Sequence, residues 1–152
     1  MSNRTVFLGC ALFMSAALAT PAVLAKENPA IAYRKSVMTL LGSNFGPMSM
    51  TAKGDIPWDD ARMAAWGKDL KTVTSLNILR GFPEDSGTGK TNAKPEIWQN
   101  FDDFKKKLET MQLEAAKLGD LAAAGDRKAI TEQIAVTGKS CKSCHEKYEK
   151  EE

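Results

Sequence analysis

Three side chains able to do metal chemistry stand within five positions near the end of the chain: Cys141, Cys144 and His145, in the run SCKSCHEKYEKEE. The spacing CxxCH is that of covalent haem attachment, in which two thiols form thioethers with the vinyl groups and the adjacent imidazole takes the iron. On a helix, positions i, i+3 and i+4 share a face, so all three side chains point the same way. His145 is the one histidine of the 152 residues, and Cys10 is the only further cysteine. The expected cofactor is one haem c per chain, attached through Cys141 and Cys144, with His145 as its proximal axial iron ligand.

The competing chemistries are weaker. A zinc site would have three N/S ligands and would need a carboxylate such as Glu149 to reach around, whereas structural zinc sites close with four Cys or His. A redox CxxC normally sits at a helix N-terminus beside a sheet, where a low thiol pKa is favoured; this one lies near a helix C-terminus. A disulfide between Cys141 and Cys144 would close so short a loop that it confers little stability. The bland alternative, a chance CxxCH on a soluble helix, has against it the absence of any other mature cysteine or histidine and the inward direction of the motif.

The redox compartment agrees with haem attachment. The opening MSNRTVFLGCALFMSAALATPAVLA has one positive charge at Arg4, an apolar middle and small residues leading to Ala25. It reads as a signal peptide, residues 1–25, cleaved before Lys26, so the protein is expected in the periplasm. Ser15, Thr20 and Pro21 interrupt the apolar stretch, which falls short of the roughly 20 apolar residues of a spanning helix. Cys10 precedes most of that stretch, the wrong geometry for lipid attachment, and is discarded with it. Residues 26–152 then form a single domain with no membrane segment. With 21 basic and 19 acidic side chains overall, the chain is near neutral and carries no nucleic-acid footprint.

Four helical patterns position the motif. The first starts at about Asn28, with Pro29 suited to the first helical position, and carries Ile31, Met38, Leu41, Phe45 and Met48 on one stripe. The second takes its start signals from Asp55 and Pro57 and carries Met63, Trp66, Leu70, Val73, Leu76 and Leu79. The third follows PEIW and carries Ile97, Phe101, Phe104, Leu108, Met111, Ala115 and Leu118, stepping by four and three. The fourth is divided from it by Gly125, is capped by Asp126, and carries Ile130, Ile134, Cys141, Cys144, His145 and Tyr148. Only the connection RGFPEDSGTGKTNAKP is long, and no segment alternates as a strand does. The expected fold class is all-α: an antiparallel up-down-up-down four-helix bundle, with haem bound in the core near the C-terminal helix. Gly138, one turn before Cys141, leaves room for a ring or a neighbouring helix. The lysines 105–107 read as a solvated face.

With His145 committed to one side of the iron, the other side is either open or filled by a thioether. Met38 is the leading candidate to face it, its alternative being plain core packing. Arg34 lies on the same stripe one turn earlier. A guanidinium on a core-facing stripe calls for an anionic partner, and haem supplies two propionates suited to its fork; the alternatives are snorkelling to solvent or pairing with a nearby carboxylate.

The C-terminal CxxCH, the first-helix run YRKSVMTLLGSNFG and the PEIW opening the third helix together resemble cytochrome c prime, among the class II c-type cytochromes. The likeness covers essentially the whole chain after Ala25. It implies a high-spin, five-coordinate haem with His145 proximal and Met38 crowding the distal face. It also implies binding of nitric oxide and carbon monoxide with discrimination against dioxygen, and a homodimer packed through the first two helices. Carried over by position, propionate or haem-edge contacts fall on Arg34, Lys35 and Asn92. Lys35 and Asn92 stand where relatives often have Gln and Asp. Glu149, four after His145, stands where relatives often carry Arg or Lys.

Two functions follow as expectations. In the first, a periplasmic haem protein binds small gases, transfers electrons, or does both. In the alternative, Met38 ligates iron in a low-spin, dedicated electron carrier. A peroxidase would want a distal acid–base residue, which a single histidine already spent on iron does not supply, so the chain is not expected to be an enzyme.

Overall fold

The computed structural model describes residues 28–151. The expected signal peptide, its cleavage point after Ala25 and Cys10 lie outside the described residues.

Helix α1 spans Pro29–Lys53. Asn28 Oδ1 accepts the Ala30 N–H at 2.9 Å, and Pro29 occupies the first turn, where a missing N–H leaves nothing unpaired. The helix closes on Gly54 at φ 88, whose N–H reaches the Met50 and Thr51 carbonyls, a left-handed cap that glycine adopts without steric cost.

Helix α2 spans Asp60–Thr74, a later start and an earlier end than the apolar pattern suggests. Asp55 is drawn into the closure of α1 through its N–H to the Met50 carbonyl. The capping role passes to Asp59, whose carboxylate accepts the Arg62 N–H at 2.8 Å. At the other end Thr74 Oγ1 donates to the Leu70 and Lys71 carbonyls and Ser75 Oγ to Thr72, so side-chain hydroxyls take backbone acceptors where the helix stops. Leu76 is left at the surface, and Ile78 rather than Leu79 enters the core from a 3₁₀ turn, Ile78–Gly81.

PEIW likewise forms its own short helix, α3, Glu96–Gln99. Asn100, at φ −132 and ψ 47, separates it from α4, Phe101–Ala124. Along α4 the buried positions Phe104, Leu108, Met111, Ala115, Leu118 and Ala122 follow the expected steps of four and three. Gly125, at φ 80, ends α4, and Asp126 Oδ1 accepts the Lys128 and Ala129 N–H groups to start α5, Arg127–Tyr148.

The four long helices pack as a ring, α1 on α2, α2 on α4, α4 on α5 and α5 back on α1. This is the expected antiparallel four-helix bundle, with α3 an additional turn of helix in the long connection. Among the described residues no helix is long and apolar enough to cross a membrane.

Two glycines set the α2–α4 crossing. A Cβ on Gly67 would lie 2.5 Å from Ala122 Cβ, and one on Gly119 would lie 2.6 Å from the Gly67 carbonyl oxygen. Contact with backbone cannot be relieved by a rotamer change, so Gly119→Ala is expected to force the helices apart and to destabilise by about 1–3 kcal/mol. Urea unfolding followed by far-UV circular dichroism measures this, and a midpoint equal to that of the parent would refute the account of the crossing.

Candidate functional site

Helix α5 buries Ile130, Ile134, Thr137 and Tyr148, with Cys141 and Cys144 half-buried on the face that continues this stripe. Its last turn is anchored to α4. The Tyr148 ring meets Phe104 edge-on at 5.4 Å. Its hydroxyl donates to Asp103 Oδ2 at 2.6 Å, and Lys147 Nζ reaches the same oxygen at 2.8 Å. Hydrogen bonds from Lys147 and Tyr148 hold the Asp103 carboxyl below the usual carboxylate range.

The thiols face two adjoining cavities between α1, α4 and α5. The larger, of about 730 Å³, is walled by Arg34, Lys35 and Met38 of α1, by Phe82 and residues 89–93 of the long connection, by Phe104 and Leu108 of α4, and by Cys144 and His145. The smaller, of about 230 Å³, has Met38, Leu41, Phe45, Leu70, Leu108 and Met111 in its wall, with Cys141, Cys144 and His145. Phe45 also lies against Gly138, 3.4 Å from where a Cβ would stand, an ordinary van der Waals distance. Thr137 contributes the one hydroxyl of the smaller cavity, and its proton is given to the Glu114 carbonyl at 3.2 Å.

Burial raises both thiol pKa values. Cys144 is pushed up to about 11, chiefly by desolvation, and Cys141 moves in the same direction for the same reason. These are protonated thiols at neutral pH, the opposite of the activated thiolate that a redox CxxC requires.

Arg34 is 4% exposed. Its Nη1 donates to the Gly81 carbonyl and Ser86 Oγ, each at 3.0 Å, and its Nη2 donates to the Ser86 carbonyl at 2.9 Å and Thr91 Oγ1 at 2.6 Å. The guanidinium also lies over the Phe82 ring, 5.1 Å from its centroid. Neither snorkelling nor pairing with a carboxylate describes this arrangement: Arg34 ties the long connection to α1 while standing at the wall of the larger cavity. Desolvation lowers its pKa, and the set of oxygen acceptors compensates for removing the charge from water.

The rim of the larger cavity is closed by the chain end. The Lys94 N–H donates to the Tyr148 carbonyl at 2.9 Å and the Lys150 N–H to the Asn92 carbonyl at 2.8 Å, so that Ala93 and Glu149 form an isolated antiparallel bridge. Glu149 Oε2 lies 2.7 Å from His145 Nδ1.

Every residue singled out in the sequence therefore borders this space: Arg34, Lys35, Met38, Asn92, Cys144 and His145 on the larger cavity, and Cys141 on the smaller. What sequence reasoning missed is the frame behind them. Phe82, Ser86 and Thr91 lie in a stretch that reads only as a loop, and nothing in local spacing marks which loop oxygens a distant arginine will reach.

The family model described as Cytochrome C' matches residues 29–149. This chain belongs to that family. A cytochrome c' from Alcaligenes xylosoxydans xylosoxydans is 38% identical over 126 residues, which cover 83% of this chain and 97% of the relative. Among solved structures, a nitric oxide complex of a cytochrome c prime variant from Alcaligenes xylosoxidans superposes with a TM-score of 0.74 at 37% identity, covering 84% of this chain and 98% of the other. Cytochrome c prime from Shewanella frigidimarina gives 0.78 at 35% identity, with the same coverage.

Cytochrome c prime proteins carry covalently attached haem c. The residues of this chain fit such a group. Two protonated thiols one helical turn apart, an imidazole on the same face and a largely apolar wall surround a space that Arg34, Lys35, Lys90 and Lys150 border with positive charge.

Proposed function

We propose that this chain is an exported, periplasmic haem protein that binds nitric oxide and carbon monoxide on an iron face bordered by Met38, with electron transfer as an associated capacity. In this reading Cys141 and Cys144 add their S–H groups across the two vinyl double bonds, each sulfur forming an S–C bond while the proton goes to the other vinyl carbon. His145 offers one imidazole nitrogen as the axial ligand. Lys35 and the Asn92 side of the rim would offer donors to the propionates, and Arg34, whose four Nη protons go to the long connection, would contribute its positive charge. The haem, when bound, supplies a redox-active iron that takes small diatomic ligands.

The observation that carries the reading is the wall of the smaller cavity. Met38, Leu41 and Phe45 have no proton to donate, and that of Thr137 is engaged with Glu114. Bound dioxygen gains from a distal hydrogen-bond donor, whereas carbon monoxide and nitric oxide depend on one far less. The relative solved with nitric oxide supports the same assignment. The α1 side of a homodimer through the first two helices is supported by the exposure of Leu40 and Met50, two large apolar side chains on α1. The lone charge at Arg4, the apolar run and the small residues leading to Ala25 support export.

Met38 borders both cavities, as His145 does, and this favours a second reading in which its thioether ligates iron in a dedicated electron carrier. One optical experiment separates the two. The reduced protein is expected to show a high-spin spectrum that changes on addition of carbon monoxide. A sharp low-spin spectrum indifferent to carbon monoxide would decide for ligation by Met38.

A further inference from the structure

The geometry points to Glu149 as a positioning residue for His145, one that sets the electron donation of the imidazole to iron; this rests on the haem reading above. The carboxylate oxygen stands 2.7 Å from Nδ1. A carboxylate at that distance places negative charge beside Nδ1, which makes the other ring nitrogen a stronger donor toward metal.

The carboxylate is not on a free tail. Helix α5 ends at Tyr148, and Glu149 is extended, at φ −113 and ψ 139, with its N–H on the His145 carbonyl. On either side the main chain is bonded to the long connection, Lys94 N–H to Tyr148 and Lys150 N–H to Asn92. The two-residue bridge thus fixes the backbone from which the side chain turns back to the imidazole, one helical turn away. A stronger donor stabilises ferric iron relative to ferrous, so Glu149 lowers the reduction potential and stiffens the bond between His145 and iron.

The test is made on the purified holoprotein by spectroelectrochemical titration and by the iron–histidine stretching band of the ferrous form. Glu149→Gln keeps the shape and removes the charge. At a fixed applied potential its ferric-to-ferrous ratio is expected to fall about tenfold, equivalent to roughly 59 mV upward for one electron, with the stretching band moving to lower frequency. Glu149→Lys should move both readouts further in the same direction. Glu146→Gln removes a neighbouring exposed carboxylate that pairs with Lys142 at 3.5 Å, and should leave both near the parent values. Haem-loaded Glu149→Gln and Glu149→Lys with unchanged potential and unchanged band overturn the assignment, as does an equal shift in Glu146→Gln. A parent chain purified without haem absorption overturns the haem reading itself and this inference with it.

Discussion

Cys141→Ser combined with Cys144→Ser is expected to abolish covalent haem attachment completely. The serine hydroxyls are near-isosteric with the thiols, and both cysteines are half-buried in a helix whose stability comes from Ile130, Ile134, Thr137 and Tyr148. The bundle should therefore still form. Two measurements follow. Intact mass of the exported parent is expected to exceed that of the bare chain by one haem, whereas the double variant should match the bare chain. Acidified organic solvent should strip any residual colour from the variant and none from the parent. Colour that resists extraction in the double variant would show that the group is held elsewhere, and the site would have to be abandoned.

Arg34→Met is expected to be the most destabilising single change. The substitution keeps an unbranched side chain of similar reach but strands four acceptors: the Gly81 and Ser86 carbonyls, Ser86 Oγ and Thr91 Oγ1. Ser86 is fully buried, so water does not replace the lost donors there. With hydrogen bonds to charged groups worth about 1.5–3 kcal/mol each and not additive, a loss of about 3–5 kcal/mol is expected. Ser86→Ala removes one partner and leaves three, and about 1 kcal/mol should suffice for it. Urea midpoints of the two variants give the comparison. A loss below 1 kcal/mol in Arg34→Met would mean that the guanidinium is dispensable to the long connection, and its only remaining role would be toward an anionic group in the cavity.

The parts of this molecule legible in its sequence are those governed by local periodicity. The α4 stripe from Phe104 to Leu118, the Gly125–Asp126 break and the half-buried face of Cys141 and Cys144 each depend on residues within a turn or two of one another, and the structure has them where the spacing says. The His145 side chain, expected to point into the core, is instead 54% exposed at the cavity rim. The ends of α2 were not legible. Leu76 and Leu79 continue the apolar rhythm, but Thr74 and Ser75 hydroxyls bond to carbonyls of the preceding turn and the chain leaves the helix. Longer-range features had no local signature. Gly67 and Gly119 are 52 positions apart and have meaning only once α2 lies against α4. The partners of Arg34 lie in the long connection, where composition signals a loop without saying which oxygens turn inward. Glu149 was visible as an unusual residue at its spacing from His145; the bridge to Ala93 that holds it was not.

Two of the four joints of the ring are unlike, and the difference has a mechanical reading. Where α2 crosses α4, bare backbone touches backbone at Gly67 and Gly119, which leaves that joint no slack. The joint between α1 and α5 lies diagonally opposite, and there the wall opens around Met38, Cys144 and His145. A tight glycine joint on one side of the ring and an open wall on the other leave the room for a flat group beside α1 and α5, away from the seam that has none to give.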